Sequence, residues 1–256
     1  MNQGTIYLIP SPLSDRPVDE VLPRRVMDII PHIQHFVVEE IRTARRFLSA
    51  AGLKGKIDTL NFYELNEHSK PEQAEEYITL AMEGNDIGVI SEAGLPAVAD
   101  PGALLVAAAH RNGIKVVPLV GPSSLMMALM ASGLNGQCFA FTGYLPAKPE
   151  QRKEKIKLIE RVSASLKQTQ IIIETPYRNN QLFNDLISLC NPRTRICVAS
   201  DITGESLVYG SGGGAGGNCS GSGDYFRAFG KGGTRAGNGA EGKAASKVLD
   251  YITFAT

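Results

Sequence analysis

Cysteine is scarce in this chain, and its spacing suggests no metal site. The four cysteines, at 138, 190, 197 and 219, form no CxxC or CxxH pattern, which argues against structural zinc. Cys138, Cys190 and Cys197 lie in apolar surroundings and read as buried free thiols, as expected in a reducing cytoplasm. Net charge is lacking too. The 26 basic residues balance 26 acidic ones, so no global field draws in a polyanion, and any nucleic-acid contact must come from a local patch. No run approaches the roughly 18 apolar residues of a membrane span. The opening MNQGTIYLIPSPL has neither the basic start nor the long apolar stretch of a secretory leader. The expectation is a soluble cytoplasmic protein with no metal and no membrane partner.

What is present is an ordinary globular composition in 256 residues, 43% hydrophobic and 20% charged, enough to bury a core without staples. The first two hundred residues alternate between strand and helix patterns. Strands are expected over 5–9, 35–39, 59–63, 86–90, 115–120, 138–143, 170–174 and 195–200. Helices are expected over 18–30, 43–51, 70–82, 103–112, 123–131, 150–166 and 179–189. Such alternation predicts an α/β protein of mostly parallel sheets with helices on both faces. The pattern restarts after Gly121-Pro122, so two α/β/α lobes are expected, 1–118 and 119–206, with a hinge near 118–123. A cleft between lobes, outside the carboxyl ends of strands, is the usual place for a small ligand in such folds.

The pattern fails from about Leu207. Between Gly210 and Gly242 there are 14 glycines in 33 residues, a composition costly to order. Residues 207–256 are therefore expected to form an atypical tail, with a short helix over 243–251 and a strand remnant over 252–255. An abrupt change of this kind is what a shifted reading frame or an assembly error would produce. The tail's GxGxxG match at Gly212, Gly214 and Gly217 follows from composition. No acid stands at dinucleotide-fold spacing after it.

Chemistry concentrates at strand ends. SEAGLPAVADPG, residues 91–102, joins a strand to a helix through two glycines, two prolines and two carboxylates. Gly94 permits close approach of a ligand to backbone, Pro96 and Pro101 stiffen the connection, and Asp100 is placed to cap the helix, with Pro101 at its first position. Ile9-Pro10-Ser11-Pro12, Gly121-Pro122-Ser123-Ser124 and Glu174-Thr175-Pro176-Tyr177-Arg178 end three other strands in the same style. Four such connections predict a preformed pocket walled mainly by backbone. Candidate acids and bases lie in the first lobe. Glu39 and Glu40 end one strand, with Arg42 and Arg45 beyond; Glu64, Asn66, Glu67 and His68 follow another. The bland alternatives are a structural ion pair for Glu39 and Arg42 and a solvated loop for Glu67 and His68. Basic clusters suited to phosphate are Arg42, Arg45 and Arg46, and Lys148, Arg152, Lys153, Lys155 and Lys157. The second is interleaved with Glu150, Glu154 and Glu160, as on a solvated helix. His32, His35 and His110 read as isolated surface or boundary residues.

Taken in order, GTIYLIPSPL, VVEEIRTARRFL, FYELNEHSKPEQ, SEAGLPAVADPG, VVPLVGPSSLMMALMASGL, FAFTGYLP and ETPYRNNQLFNDL resemble the tetrapyrrole-methylase superfamily of S-adenosylmethionine-dependent methyltransferases. The resemblance spans roughly residues 4–205 and is to the ribosomal RNA small-subunit methyltransferase I type, more narrowly to a divergent Bacteroidetes-like subgroup. It implies two α/β lobes with S-adenosyl-L-methionine in the cleft between them, the first lobe on the acceptor side and the second on the cofactor side. It implies donor contacts at Ser91, Glu92, Ala93, Gly94 and Val98, then at Gly121, Pro122, Ser123 and Ser124. Thr175 and Pro176 would close the pocket, with Pro10 across its mouth. Glu39, Arg42, Asn66 and Glu67 would face the acceptor as catalytic candidates. The implied activity is 2′-O-methylation of a cytidine in 16S rRNA by a cytoplasmic homodimer. Methylation of a small tetrapyrrole-like acceptor, or a decayed member that only binds cofactor or RNA, are the alternatives. The chain departs from the branch in three ways. Glu92 stands where Asp is commoner, IPSPLSDRP lacks the usual Gly and Asn, and Gly-rich sequence replaces the final antiparallel strands.

Overall fold

Five short apolar runs in the first half become five parallel strands. The computed structural model describes residues 3–204, 208–213 and 250–255, and the chain divides into two compact units, Met1–Ser123 and Ser124–Thr256. In the first unit, β1 (Thr5–Leu8), β2 (His35–Val38), β3 (Asn61–Glu64), β4 (Ile87–Ile90) and β5 (Lys115–Pro118) form one sheet in the order β3-β2-β4-β1-β5. Every pairing is parallel, so all five carboxyl ends lie along one edge. β4 is buried throughout, as expected of a strand covered on both faces.

The helices divide between the two faces. α1 (Val18–Val21), α2 (Arg24–Ile29) and α3 (Ile41–Leu48) pack Val18, Leu22, Val26, Ala44, Phe47 and Leu48 against Ile9, Phe36, Val38 and Ile90. α4 (Pro71–Met82) and α5 (Gly102–Arg111) pack Ala74, Ile78, Ala81, Leu105 and Ala108 against Ile6, Val37, Ile87 and Val89. Ala74, Ile78 and Ala81 stand at i, i+4 and i+7, the stripe of a helix laid on a sheet. The single helix expected over 18–30 is two. Leu22 precedes Pro23 and is extended, φ −108 and ψ 138, because the proline ring disfavours helical backbone before it. α3 starts at Ile41, two residues earlier than the periodicity predicts, because the Glu40 carboxylate accepts the amides of Arg42 and Thr43 at 2.8 and 2.6 Å.

The second unit holds β6 (Phe139–Tyr144), β7 (Thr169–Glu174), β8 (Arg195–Ser200), β9 (Val208–Gly213) and β10 (Asp250–Ala255), in the order β6-β7-β10-β8-β9. α6 (Ser124–Ser132) precedes β6, α7 (Pro149–Leu166) joins β6 to β7, and α8 (Asn179–Leu189) joins β7 to β8. β6, β7 and β8 run one way, as the alternation predicts. β10 is antiparallel to both β7 and β8 and lies between them, and β9 is antiparallel to β8. The tail expected to stand apart thus supplies two strands, one central to the sheet. The strand remnant expected over 252–255 falls within β10, whereas most of the short helix expected over 243–251 lies outside the described residues. Ile156 and Ile159 of α7, Leu182 and Leu186 of α8, and Ile172 form this unit's core. Among the described residues no helix is long and apolar enough to cross a membrane.

Candidate active site at the carboxyl edge of the first sheet

β1 is flanked by β4 and β5, and β4 by β2. The connections that follow these four strands therefore stand side by side, and they are joined in sequence. The backbone N–H of Glu92 donates to the Glu39 carboxylate at 3.2 Å, tying the β4 loop to the end of β2. Ser11 and Gly94 exchange backbone hydrogen bonds of 2.9 and 3.1 Å, tying it to the β1 loop. The Ser11 hydroxyl adds a bond to the Ser91 carbonyl at 3.2 Å. A Cβ on Gly121 would sit 2.1 Å from Cβ of Pro10, so the β5 loop reaches Pro10 only because residue 121 is glycine. The connections from β1 and β4 lead to helices on opposite faces, the arrangement that opens a crevice at the carboxyl ends of a parallel sheet.

The backbone of the β4 loop is unusual. Gly94 has φ +78, and two alanines, Ala97 and Ala99, have φ 66 and 62. Left-handed backbone costs a non-glycine residue roughly 1–3 kcal/mol, so surrounding contacts hold this shape against strain. One holder is Asp100, whose carboxylate accepts the Ala97 amide at 2.9 Å and the Gly102 amide at 2.7 Å. Asp100 was expected as the N-cap. That position is taken by Pro101, already helical at φ −69 and ψ −11, and Asp100 serves from one residue earlier. Burial raises its carboxyl to about 6, against the pull of the Gly102 and Ala97 amides and with help from the charge of Glu39. Glu39, Glu92 and Asp100 make the β2–β4 part of this edge acidic, while Val98 and Val120 expose apolar surface on the β4 and β5 loops, at 45% and 77%.

Pro10, Ser11 and Ser91 are buried, and Glu92, Ala93, Gly121, Pro122 and Ser123 are half-buried. Arg42 is exposed on the first turn of α3. Asn66 and Glu67 follow β3, the edge strand, with β2 between them and the β4 loop. The Asn66 side-chain oxygen accepts the His68 amide at 2.9 Å in a local turn, and Glu67 is exposed, 3.6 Å from the His68 ring. Ser124, Thr175 and Pro176 belong to the second unit. The Thr175 amide donates to the buried Glu174 carboxylate at 2.8 Å, which also accepts Nε of Arg178 at 2.7 Å.

Arg152 was placed in a basic patch, yet its side chain is 2% exposed. Nε donates to Asp185 Oδ2 at 2.7 Å and Nη1 to the Ala147 carbonyl at 3.0 Å. Nη2 lies equally close to Asp185 but off the hydrogen-bonding direction. Helical periodicity puts residue 152 on the buried side with Ile156 and Ile159. Arg45 pairs with Asp58 and lies over the Phe62 ring, which leaves Arg42 and Arg46 as the exposed cations of that cluster. Of the three described cysteines only Cys197 is buried; Cys138 and Cys190 are half-buried. Burial and the neighbouring Glu160 push the Cys190 thiol up to about 12.

Ser11 was missed as a separate participant, although two flanking prolines already marked it. The left-handed alanines carry no sequence signal.

A family model described as Tetrapyrrole (Corrin/Porphyrin) Methylases matches residues 14–208. The chain is 30% identical over 198 residues to the ribosomal RNA small subunit methyltransferase I of Vibrio cholerae, covering 77% of this chain and 65% of that protein. It is 31% identical over 200 residues to the protein of the same name from Xylella fastidiosa, covering 78% and 69%. It thus spans about two-thirds of the length of these curated relatives. Among solved structures, it is similar to uroporphyrin-III C-methyl transferase from Thermus thermophilus complexed with S-adenyl homocysteine. The TM-score is 0.53 at 16% identity, covering 97% of each chain, a likeness of fold.

Proposed function

Because the chain belongs to the tetrapyrrole (corrin/porphyrin) methylase family, we propose that it is an S-adenosylmethionine-dependent methyltransferase of ribosomal RNA, acting on the 2′-hydroxyl of a cytidine in 16S rRNA. The observation that carries the reading is the row of interlocked loops at the carboxyl edge of the first sheet, fixed before any ligand arrives. The names of the 30%-identical relatives support the RNA acceptor.

The residues fit the donor. A sulfonium cation suits an edge carrying Glu39, Glu92 and Asp100. Backbone groups of Ser91–Gly94 and of Gly121–Ser123 suit the polar ends of the ligand, and Val98 an apolar face. When bound, S-adenosylmethionine supplies a methyl group whose bond to sulfur breaks as the bond to the acceptor oxygen forms, its electron pair returning to sulfur. The protein's share is to fix the two reactants in line and to receive the hydroxyl proton. Glu39 is the candidate base, held beside the β4 loop by the Glu92 amide. Arg42 is assigned to RNA phosphate, and Asn66 and Glu67 to the acceptor side. Met126 and Met130, one turn apart on α6 and 41% and 80% exposed, suit coverage by a second copy in a homodimer.

The test is calorimetric titration with S-adenosylhomocysteine, followed by methyl transfer from S-adenosylmethionine to small ribosomal subunits. The expected results are one site per chain and one cytidine made resistant to alkaline cleavage. Transfer to a porphyrin-type acceptor and not to RNA would replace the acceptor. Binding without transfer to either would leave a non-catalytic binding protein.

A further inference from the structure

The Asp100 carboxylate has a seat built for it. One oxygen accepts two amides, those of Ala97 and Gly102, and the other shares the Ala97 amide. A Cβ on Gly102 would lie 2.8 Å from that first oxygen and 3.2 Å from the Ala97 nitrogen, so the seat exists only because residue 102 is glycine. Between the two tethered amides the backbone is left-handed at Ala97 and again at Ala99. Val98, between them, turns an apolar side chain outward. Val98 and Ala99 are exposed and Ala97 is half-buried, so the packing of these three side chains does not account for the strain. The turn makes sense as a shape held for a ligand.

We propose that Asp100 is a positioning residue for the donor site: by tethering the amides of Ala97 and Gly102 it holds the 97–99 turn, and so presents Val98 and the adjoining backbone already in their binding geometry. This rests on the reading of the β4 loop as part of the S-adenosylmethionine site. The tether lowers the ordering cost that a loose loop would charge against binding. The charged neighbour that Asp100 feels is Glu39, across from β2.

The test compares Asp100→Ala, which removes the acceptor, with Asp100→Asn, whose amide oxygen can still accept. Hydrogen exchange of the amides over residues 94–102 is read beside global melting and S-adenosylhomocysteine affinity. In Asp100→Ala, exchange over the loop accelerates while the rest of the unit keeps its protection, and affinity falls about tenfold. Asp100→Asn stays close to the wild type in both. Unchanged loop exchange in Asp100→Ala would overturn the proposal. So would a loosened loop with unchanged affinity, or an Asn variant as impaired as the Ala variant. If Asp100→Ala does not fold, Gly102→Ala, which pushes the carboxylate from its seat, is read the same way. A wild-type protein that binds no S-adenosylhomocysteine would count against the proposed function, and loop exchange would still decide the tether.

Discussion

Ser11 and Gly94 hold each other by a reciprocal pair of backbone hydrogen bonds, the Ser11 amide to the Gly94 carbonyl at 2.9 Å and the Gly94 amide to the Ser11 carbonyl at 3.1 Å. In Pro10-Ser11-Pro12 only Ser11 has an amide hydrogen to give. The one donor of that tripeptide is therefore spent on the β4 loop. The prolines stiffen one partner, and Gly94, at φ +78, supplies the backbone the other needs.

Gly94→Ala places a Cβ 3.0 Å from Leu13 Cδ2 on left-handed backbone. The expected cost is about 1–2 kcal/mol of stability, with a larger loss of S-adenosylhomocysteine affinity than the melting shift alone accounts for. Urea unfolding and calorimetry on the same preparation check this. An unchanged affinity would separate the bridge from ligand binding.

Gly121→Ala tests the contact between the β1 and β5 loops. The added carbon would fall 2.1 Å from Cβ and 2.4 Å from Cγ of Pro10, and a proline ring has little freedom to move aside. A loss of about 1–3 kcal/mol is expected. Wild-type stability would mean the two loops separate without cost.

Asp100 predicts a pH dependence whose direction is set by burial. An ordinary carboxyl near 3.8 releases its proton in the unfolded chain, while in the folded protein Asp100 holds it up to about 6. Its contribution to stability is therefore complete below 3.8 and is lost as pH rises through about 6. Asp100→Asn has no such titration. Relative to that variant the wild type should lose stability from about pH 4 to about pH 7, measured by urea unfolding. A difference that stays flat across this range would show that folding does not raise the Asp100 carboxyl above its ordinary value.

Arg152 and Lys157 share a helix and should behave in opposite ways. Arg152→Ala leaves the half-buried Asp185 without its cation, at a cost of about 3 kcal/mol. Arg152→Met combined with Asp185→Leu should recover most of it. Lys157 is exposed, so Lys157→Ala should stay within about 0.5 kcal/mol of wild type. If α7 meets RNA, Lys157→Ala should lower the salt dependence of binding. A stable Arg152→Ala protein would return that residue to the surface patch.

Glu39 and Glu67 separate the two candidate regions for acceptor chemistry. Glu39→Gln keeps the acceptor for the Glu92 amide while removing the base, so methyl transfer should fall about a hundredfold or more with donor affinity little changed. Glu67→Gln, on an exposed side chain, should leave stability unaltered. If Glu67→Gln abolishes single-turnover transfer and Glu39→Gln does not, the base lies on the β3 side.

The alternation of apolar periods set which segments became strands and helices, because burial on one face or two imposes a period that local sequence carries. Hence β8 and α8 have the expected limits, and β6, β7 and β8 the expected common direction. Pro23 could have been read as the break between α1 and α2 from the same local rule. The glycines of Val208–Gly213 hid β9, since glycine carries no side-chain period, whereas Ile252–Ala255 in β10 reads as a strand from its own sequence.

Local sequence also marked the loops at the strand ends, through Pro10, Gly94, Gly121 and Pro122. It could not say which of them touch. That follows from strand order, in which β1 lies between β4 and β5 and brings Ser11 to Gly94 and Pro10 to Gly121. It could not say that Arg152 turns inward to Asp185, or that Ala97 and Ala99 are held left-handed by Asp100. These are matters of long-range pairing and of water excluded once elements pack. A residue's period and propensity do not encode them, because its partner lies elsewhere in the chain.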